Sequence, residues 1–188
     1  MRNRRHRRSY NEPGHAHELT FSTYKGYKFL SRDRTRHWLI ESINEARESL
    51  GFDVWAYVIM PEHVHLIVHP WTSEYEISKI IGRIKEPVGR RAIEYIQSTS
   101  PEWLDRITRN RGRRVERLFW QTGGGYDRNI TRGSTLLKMV DYIHMNPVRR
   151  GLVDQVADWR WSSAAWYEGA IDVPMEIDAI PPDWLEDL

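Results

Sequence analysis

Apolar and polar residues alternate in three stretches of the first half of the chain, over residues 18–24, 52–60 and 63–69. Side chains of a β-strand point alternately to its two faces, so a period of two predicts a strand in each stretch. Only Pro61 and Glu62 separate the second stretch from the third. A connection this short predicts that the two strands pair as a hairpin.

Apolar residues recur at helical spacing in three other stretches, which predicts helices over residues 33–50, from Ser73 or Glu74 onward, and over residues 135–145. Pro87 lies inside the second helical stretch. Because proline lacks the amide hydrogen that a helix interior needs, we expect Pro87 to kink or restart this helix.

A fourth strand is predicted over residues 115–121, and the glycine run Gly123–Gly125 is expected to be a loop. The resulting element order is β-α-β-β-α-β-α, and its first six elements match the split βαβ arrangement. The sequence therefore predicts an α+β fold: a ferredoxin-like antiparallel sheet with helices on one face, followed by a C-terminal extension.

Composition divides the chain into three parts. Residues 1–16 are interpreted as a basic N-terminal arm, residues 17–155 as the main domain, and residues 156–188 as a tryptophan-containing extension with an acidic tail. The main domain carries a basic insertion near residues 98–117. We expect the tryptophans of the extension to pack back on the domain.

The cysteine count and the hydropathy pattern exclude several classes of protein. No cysteine occurs in the 188 residues, which excludes disulfides, thiolate zinc sites and cysteine nucleophiles and fits a reducing cytoplasm. No apolar run is long enough to span a bilayer, so no membrane partner is expected. The basic N-terminus has no apolar stretch behind it, so no secretory signal is expected either.

Arginines are clustered although the formal net charge is only +2. The clusters lie in residues 2–8, 83–91 and 106–117. Local basic patches attract polyanions, and the arginine fork suits phosphate. Nine tryptophans and nine tyrosines accompany them, and aromatic rings among arginines suit stacking on unpaired bases. The pattern favours a nucleic-acid partner; a solvated surface and a disordered arm remain the alternative.

Two histidines lie in the third predicted strand, on either side of Val64. Residues i and i+2 of a strand share a face, so His63 and His65 present two imidazoles side by side. A pair of neutral imidazoles is a ready set of ligands for a divalent metal. For the pair alone, one surface histidine and one hydrogen-bonded core histidine would be equally consistent.

The last predicted helix carries a second group of reactive residues. Tyr142 and Asn146 are four residues apart, which makes them neighbours on one helix face. His144 falls about 160° around the helix from Tyr142, so we expect it to face elsewhere. A phenol can serve as a nucleophile and an amide oxygen as a third metal ligand. Each residue alone could equally be structural, as a half-buried helix tyrosine and a helix-end residue before proline.

Together these two motifs resemble the single-tyrosine HUH transposases, and more closely the REP-associated tyrosine transposases of that superfamily, which are IS200-like. The motifs are PEHVHLIV at residues 61–68 and VDYIHMNPVRRGLV at residues 140–153. The stretch from Phe119 to Ile130 is also similar to the family, and the resemblance covers roughly residues 10–166.

The resemblance implies a ferredoxin-like fold, a nucleophilic Tyr142, and a divalent metal, Mg²⁺ or Mn²⁺, held by His63, His65 and Asn146. Other branches of the superfamily carry glutamine at the position of Asn146. The implied activity is that of a metal-dependent single-stranded DNA endonuclease and strand transferase. It acts through a covalent 5′-phosphotyrosine on hairpin, REP-like DNA.

Single-stranded or hairpin DNA is accordingly the expected partner of a monomer or homodimer. The candidate DNA-binding residues are Arg149, Arg150, Arg4, Arg5 and Arg128. A histidine-triad hydrolase would need a third histidine where the chain has Ile67, and a two-histidine RNA phosphoesterase would need a second H-x-[ST] element. The alternative that stays open is a non-catalytic nucleic-acid-binding protein of the same fold.

Overall fold

The structure is a computed structural model that describes residues 11–186 of the chain. In chain order its strands and longer helices are β1 (Ala16–Ser22), α1 (Asp33–Leu50), β2 (Phe52–Ile59), β3 (His63–Pro70), α2 (Ile77–Thr99), α3 (Leu104–Ile107), β4 (Thr108–Arg111), β5 (Arg114–Arg117), β6 (Tyr126–Ile130), α4 (Gly133–His144), α5 (Asn146–Arg149) and α6 (Ala164–Tyr167). Within this part of the chain, no helix is both long and apolar enough to cross a membrane.

Four strands form one sheet in the order β2-β3-β1-β6, and all neighbours are antiparallel. This is the predicted split βαβ arrangement, so the predicted fold class is confirmed. Helices α1 and α2 bury their apolar stripes on one face of the sheet, together with residues such as Leu19 and Leu66. Helix α4 covers part of the opposite face and packs through Leu136, Val140 and Ile143.

The fourth strand of the sheet is not where the sequence placed it. The predicted strand over residues 115–121 is wrong: β5 pairs with β4 as a separate two-stranded hairpin, and β6 joins the sheet beyond the glycine run. Only Ile130 of β6 is buried. An edge strand on an open part of the sheet has little apolar surface to cover, so β6 lacks the alternation that marks β1 and β3.

Helix α2 runs without a break through Pro87, contrary to the predicted kink or restart, and it begins at Ile77 rather than at residue 73 or 74. Pro87 leaves the carbonyl of Arg83 without its helical donor. The hydroxyl of Ser42, on the neighbouring helix α1, lies 2.9 Å from the carbonyl oxygen of Ile84 and 3.4 Å from that of Arg83. A hydroxyl donor from a second helix thus lies beside the gap, with its shorter hydrogen bond to Ile84 and only a long contact to Arg83.

The C-terminal extension covers the edge strand β2, which would otherwise expose unpaired backbone groups. The amide of Ile59 donates to the carbonyl of Trp161, and the amides of Ser163 and Asp178 donate to carbonyls of β2. Trp161 is buried, as expected for the tryptophans of this extension.

Farther along, the extension reaches the other face of the sheet. The ring of Trp184 packs edge-on against Trp55, with ring centroids 5.1 Å apart. The carbonyl of Trp184 approaches Gly133 so closely that position 133 has no room for a Cβ atom. The extension therefore joins the edge of the sheet to the start of α4.

Candidate functional site

His63 and His65 lie on the face of β3 that α1 and α2 do not cover. They are opposite Ser22 and Thr20 of β1, while Val64 packs into the core on the other face. The centroids of the two imidazole rings are 5.0 Å apart and their planes cross at 85°. The alternation of the strand thus brings the two rings together, as the sequence predicted.

Tyr142 reaches the same place from α4. The apolar stripe of this helix is buried, which turns Tyr142 outward with 48% of its surface exposed. The centroid of its ring lies 6.3 Å from that of His65, with the ring planes nearly perpendicular. A phenol and two imidazoles therefore share one partly open surface.

His144 faces away from this surface, as the helical geometry predicted. Its Nε2 lies 2.8 Å from the hydroxyl oxygen of Ser163. Burial lowers the pKa of His144 to about 4, so this imidazole is neutral near pH 7. It acts as a packing and hydrogen-bonding residue beneath α4.

Asn146 begins α5, and only Met145 separates it from the end of α4. Its amide nitrogen Nδ2 donates to the carbonyl oxygens of Tyr142, at 3.2 Å, and Ile143, at 3.1 Å. Both partners are acceptors, which fixes the orientation of the amide and leaves Oδ1 as the atom that can bind a further group.

Each of the two histidines has a carboxylate behind it. Oε1 of Glu18 lies 3.1 Å from Nδ1 of His65 and accepts a 2.6 Å hydrogen bond from the hydroxyl of Thr20. Oε1 of Glu62 lies 3.2 Å from Nδ1 of His63. An ionised carboxylate only accepts hydrogen bonds, so this pattern assigns the proton of each imidazole to Nδ1 and the lone pair to Nε2.

This donor set fits a divalent cation. Two imidazole Nε2 atoms and one amide oxygen suit a borderline or hard metal ion, and carboxylates behind metal-binding histidines are a common supporting arrangement. Oε2 of Glu62 is buried beside His63 without a hydrogen-bond partner in the described part of the chain. Residues 11–186 contain no group of three histidines or carboxylates that could hold a metal, so a three-ligand site here depends on Asn146.

The surroundings of the two residues lower both pKa values, which favours a neutral imidazole at His63 and an ionised carboxylate at Glu62. Burial lowers the pKa of His63, the charge of His65 lowers it further, and Glu62 opposes both effects. Burial by itself raises the pKa of Glu62, but the hydrogen bond from Arg150 and nearby positive charges outweigh it, so the net pKa is lowered.

The candidate DNA-binding arginines have different surroundings. The guanidinium of Arg149 lies over the ring of Tyr142, 4.8 Å from its centroid. Nη1 of Arg150 forms a 2.7 Å ion pair with Oε1 of Glu62. Arg128 is exposed on β6 and lies opposite Glu18 in the sheet register. Arg4 and Arg5 lie outside the described residues. A role of these arginines in binding DNA stays a prediction.

The supporting residues Glu18 and Thr20 and the ion pair between Glu62 and Arg150 were not among the sequence predictions. The alternation of β1 did contain a signal, because Leu19 and Phe21 face the helices and the residues between them must face the other way. A glutamate in the middle of such a strand indicates a hydrogen-bonding or charged partner on that face of the sheet.

Comparison with known proteins identifies the family of the chain. The sequence profile of the family described as "Transposase IS200 like" matches residues 14–146. A Haemophilus influenzae protein named among the REP-associated tyrosine transposases is 28% identical over 165 residues, which cover 84% of this chain and 85% of that protein. The REP-associated tyrosine transposase of Escherichia coli K12 is 26% identical over 125 residues, or 66% of this chain and 62% of that protein.

A solved structure described as a REP-associated tyrosine transposase bound to a REP hairpin has the same fold. It superposes with a TM-score of 0.65 at 19% sequence identity and covers 93% of this chain and 92% of the other. The family match spans both histidines, the tyrosine and the asparagine of the site. The chain therefore belongs to the IS200-like transposase family, as its two motifs predicted.

Proposed function

We propose that this transposase is a metal-dependent single-stranded DNA endonuclease and strand transferase that acts through a covalent 5′-phosphotyrosine at Tyr142. The observation that supports this most directly is the approach of Tyr142 to the histidine pair, with a ring-centroid distance of 6.3 Å to His65. His65 on β3 and Tyr142 on α4 are 77 residues apart in sequence, so the fold brings the two groups together.

Three side chains are proposed as the metal ligands: His63 and His65 through Nε2, and Asn146 through Oδ1. Mg²⁺ or Mn²⁺ bound there would polarise a non-bridging oxygen of the scissile phosphate and offset the charge of the transition state. The contribution of the chain is to hold the ligands in place: Glu18 and Glu62 set the two imidazole tautomers, and the backbone carbonyls of α4 orient the amide of Asn146.

In the proposed reaction, the phenolic oxygen of Tyr142 bonds to phosphorus and the bond from phosphorus to the 3′-oxygen breaks. The phenol loses its proton, and the departing 3′-oxygen gains one. The products are a 5′-phosphotyrosine and a free 3′-hydroxyl. Since one phosphodiester replaces another, a second 3′-hydroxyl can reverse the step and join a new strand without an external energy source.

The proposed substrate is hairpin DNA with an unpaired segment at the site, since a relative of the same fold is described as bound to a REP hairpin. The exposed ring of Tyr142 and the guanidinium groups of Arg149 and Arg128 offer stacking and phosphate contacts for such a segment. Arg4 and Arg5 are proposed to add further phosphate contacts.

The test is incubation of the chain with labelled hairpin DNA and Mn²⁺, followed by denaturing electrophoresis. A protein–DNA adduct that survives boiling in detergent, depends on the metal and is lost in Tyr142→Phe supports the proposal. Binding without any adduct would instead favour the non-catalytic DNA-binding protein.

A further inference from the structure

The hairpin formed by β4 and β5, here called the arginine arm (residues 106–117), is separate from the main sheet. It contains six arginines and one glutamate. Its turn lies at Gly112, whose positive φ of 61° suits glycine. Arg111, Arg113 and Arg114 are exposed around this turn and form no ion pair within residues 11–186.

The base of the arm is well anchored. Ile107 is fully buried, and its carbonyl accepts a 2.8 Å hydrogen bond from the amide of Leu118. Arg109 forms a 2.5 Å ion pair with Glu116 across the two strands, so the single glutamate of the arm is already neutralised. The arginines at the turn are thus displayed on an ordered ribbon, and binding through them costs less conformational entropy than ordering a free loop would.

The arm arises at the end of the sheet where the histidines lie. The chain leaves β5 and reaches Trp120, which pairs with Thr23 just beyond β1. The amide of Gln121 then donates to the carbonyl of Ser22, the residue opposite His63. The base of the arm therefore lies at the end of the sheet that carries His63, and the chain that follows it packs on the helix side through Phe119 and Trp120.

We propose that the arginine arm binds the duplex stem of a hairpin substrate, while the unpaired segment lies at Tyr142. A two-stranded β-ribbon has the right size for the major groove of DNA, and arginine forks suit phosphates and groove edges. The three residues displayed at the turn carry no aromatic ring on which unpaired bases could stack. This inference rests on the proposed function, since it assigns a second contact to the same DNA.

The experiment compares two probes in the full chain: a DNA hairpin with a single-stranded flank, and an oligonucleotide of equal length that cannot pair. In the triple variant Arg111→Gln, Arg113→Gln, Arg114→Gln, hairpin affinity is expected to fall at least tenfold. The slope of log K against log salt is expected to decrease by about 2–3, since each lost duplex phosphate contact contributes about 0.9. Binding of the unpaired probe is expected to stay within about twofold of the parent chain.

A control removes a positive charge from the start of α2, as Lys79→Gln; this residue is exposed and lies outside the three basic clusters. The control is expected to bind both probes like the parent chain. A second variant, with lysine in place of the three arginines, keeps the charge and is expected to retain most of the salt slope.

The inference would be overturned if the triple variant lost equal affinity for both probes or lost no affinity for the hairpin. It would also be overturned if the α2 control lost as much hairpin affinity as the triple variant. Adduct formation with each probe is measured in parallel. If the parent chain forms no adduct, the proposed catalytic function fails while the comparison of affinities still decides the role of the arm.

Discussion

Replacing Glu18 by glutamine tests the supporting role of this carboxylate with little change of shape. Glu18 is only 4% exposed, and one of its oxygens contacts both Thr20 and His65. Glutamine can still accept the hydrogen bond from Thr20, but it is neutral and can also turn its NH₂ group toward Nδ1 of His65. In that orientation the imidazole proton moves to Nε2, and the lone pair needed for a metal is lost.

Two effects of opposite sign follow. Removing the carboxylate partner of a metal-binding histidine lowers metal affinity by about 10–100-fold, or roughly 1.4–2.7 kcal/mol. In the absence of metal, the substitution removes the buried negative charge of Glu18, which hydrogen bonds from Thr20 and His65 only partly compensate. The unfolding free energy of the variant is therefore expected to stay within about 1 kcal/mol of the parent chain or to rise.

The assay is calorimetric titration of Mn²⁺ into the full chain, together with denaturation in the presence of a chelator. Asp53→Asn is the matched control, because Oδ2 of Asp53 lies 3.8 Å from Nδ1 of His69, a histidine on the same strand outside the proposed ligand set. Its Mn²⁺ affinity is expected to equal that of the parent. Parent-like Mn²⁺ affinity in folded Glu18→Gln, or an equal loss in Asp53→Asn, would refute the assignment.

Three further changes have defined outcomes. Tyr142→Phe is expected to abolish the adduct while hairpin binding persists, whereas Tyr126→Phe is expected to leave cleavage largely intact; an adduct in Tyr142→Phe would place the nucleophile elsewhere. Arg149→Gln is expected to weaken DNA binding and to reduce the salt slope by about 0.7, the contribution of one phosphate contact on a single strand, and an unchanged slope argues against that contact. Because the folded-state pKa of His144 is about 4 rather than 6.5, unfolding is coupled to proton uptake between these values. The contribution of His144 to the unfolding free energy is therefore fully present above pH 6.5, and about 3 kcal/mol of it is lost as the pH drops to about 4. His144→Gln is expected to flatten this dependence in denaturation curves taken across the range, and an equally steep curve would contradict the assignment.

Local geometry explains which features the sequence predicted. The pairing of His63 with His65 depends only on the alternation of one strand, and the separation of Tyr142 from His144 only on the angle between residues of one helix. Both could be predicted without knowing the rest of the fold.

Features that depend on contacts between elements were missed. The hydroxyl donor beside Pro87 comes from Ser42 on another helix, and the position of Glu18 near His65 follows from the register between β1 and β3. Neither is present in the local pattern. Strand β6 was not predicted from the sequence because it lies at a sheet edge and buries only Ile130.

The close approach of Trp184 to Gly133 has a consequence for the exchange of elements between molecules. Helix α4 is tied to β2 not only by its own apolar stripe but also through the C-terminal segment, which hydrogen-bonds to β2 at Asp178. Domain swapping of α4 between two copies would first have to detach that segment. Cutting the chain near Ile171, which is 95% exposed, is therefore expected to lower the barrier to such an exchange, whereas substitutions in α4 alone would leave the second attachment in place.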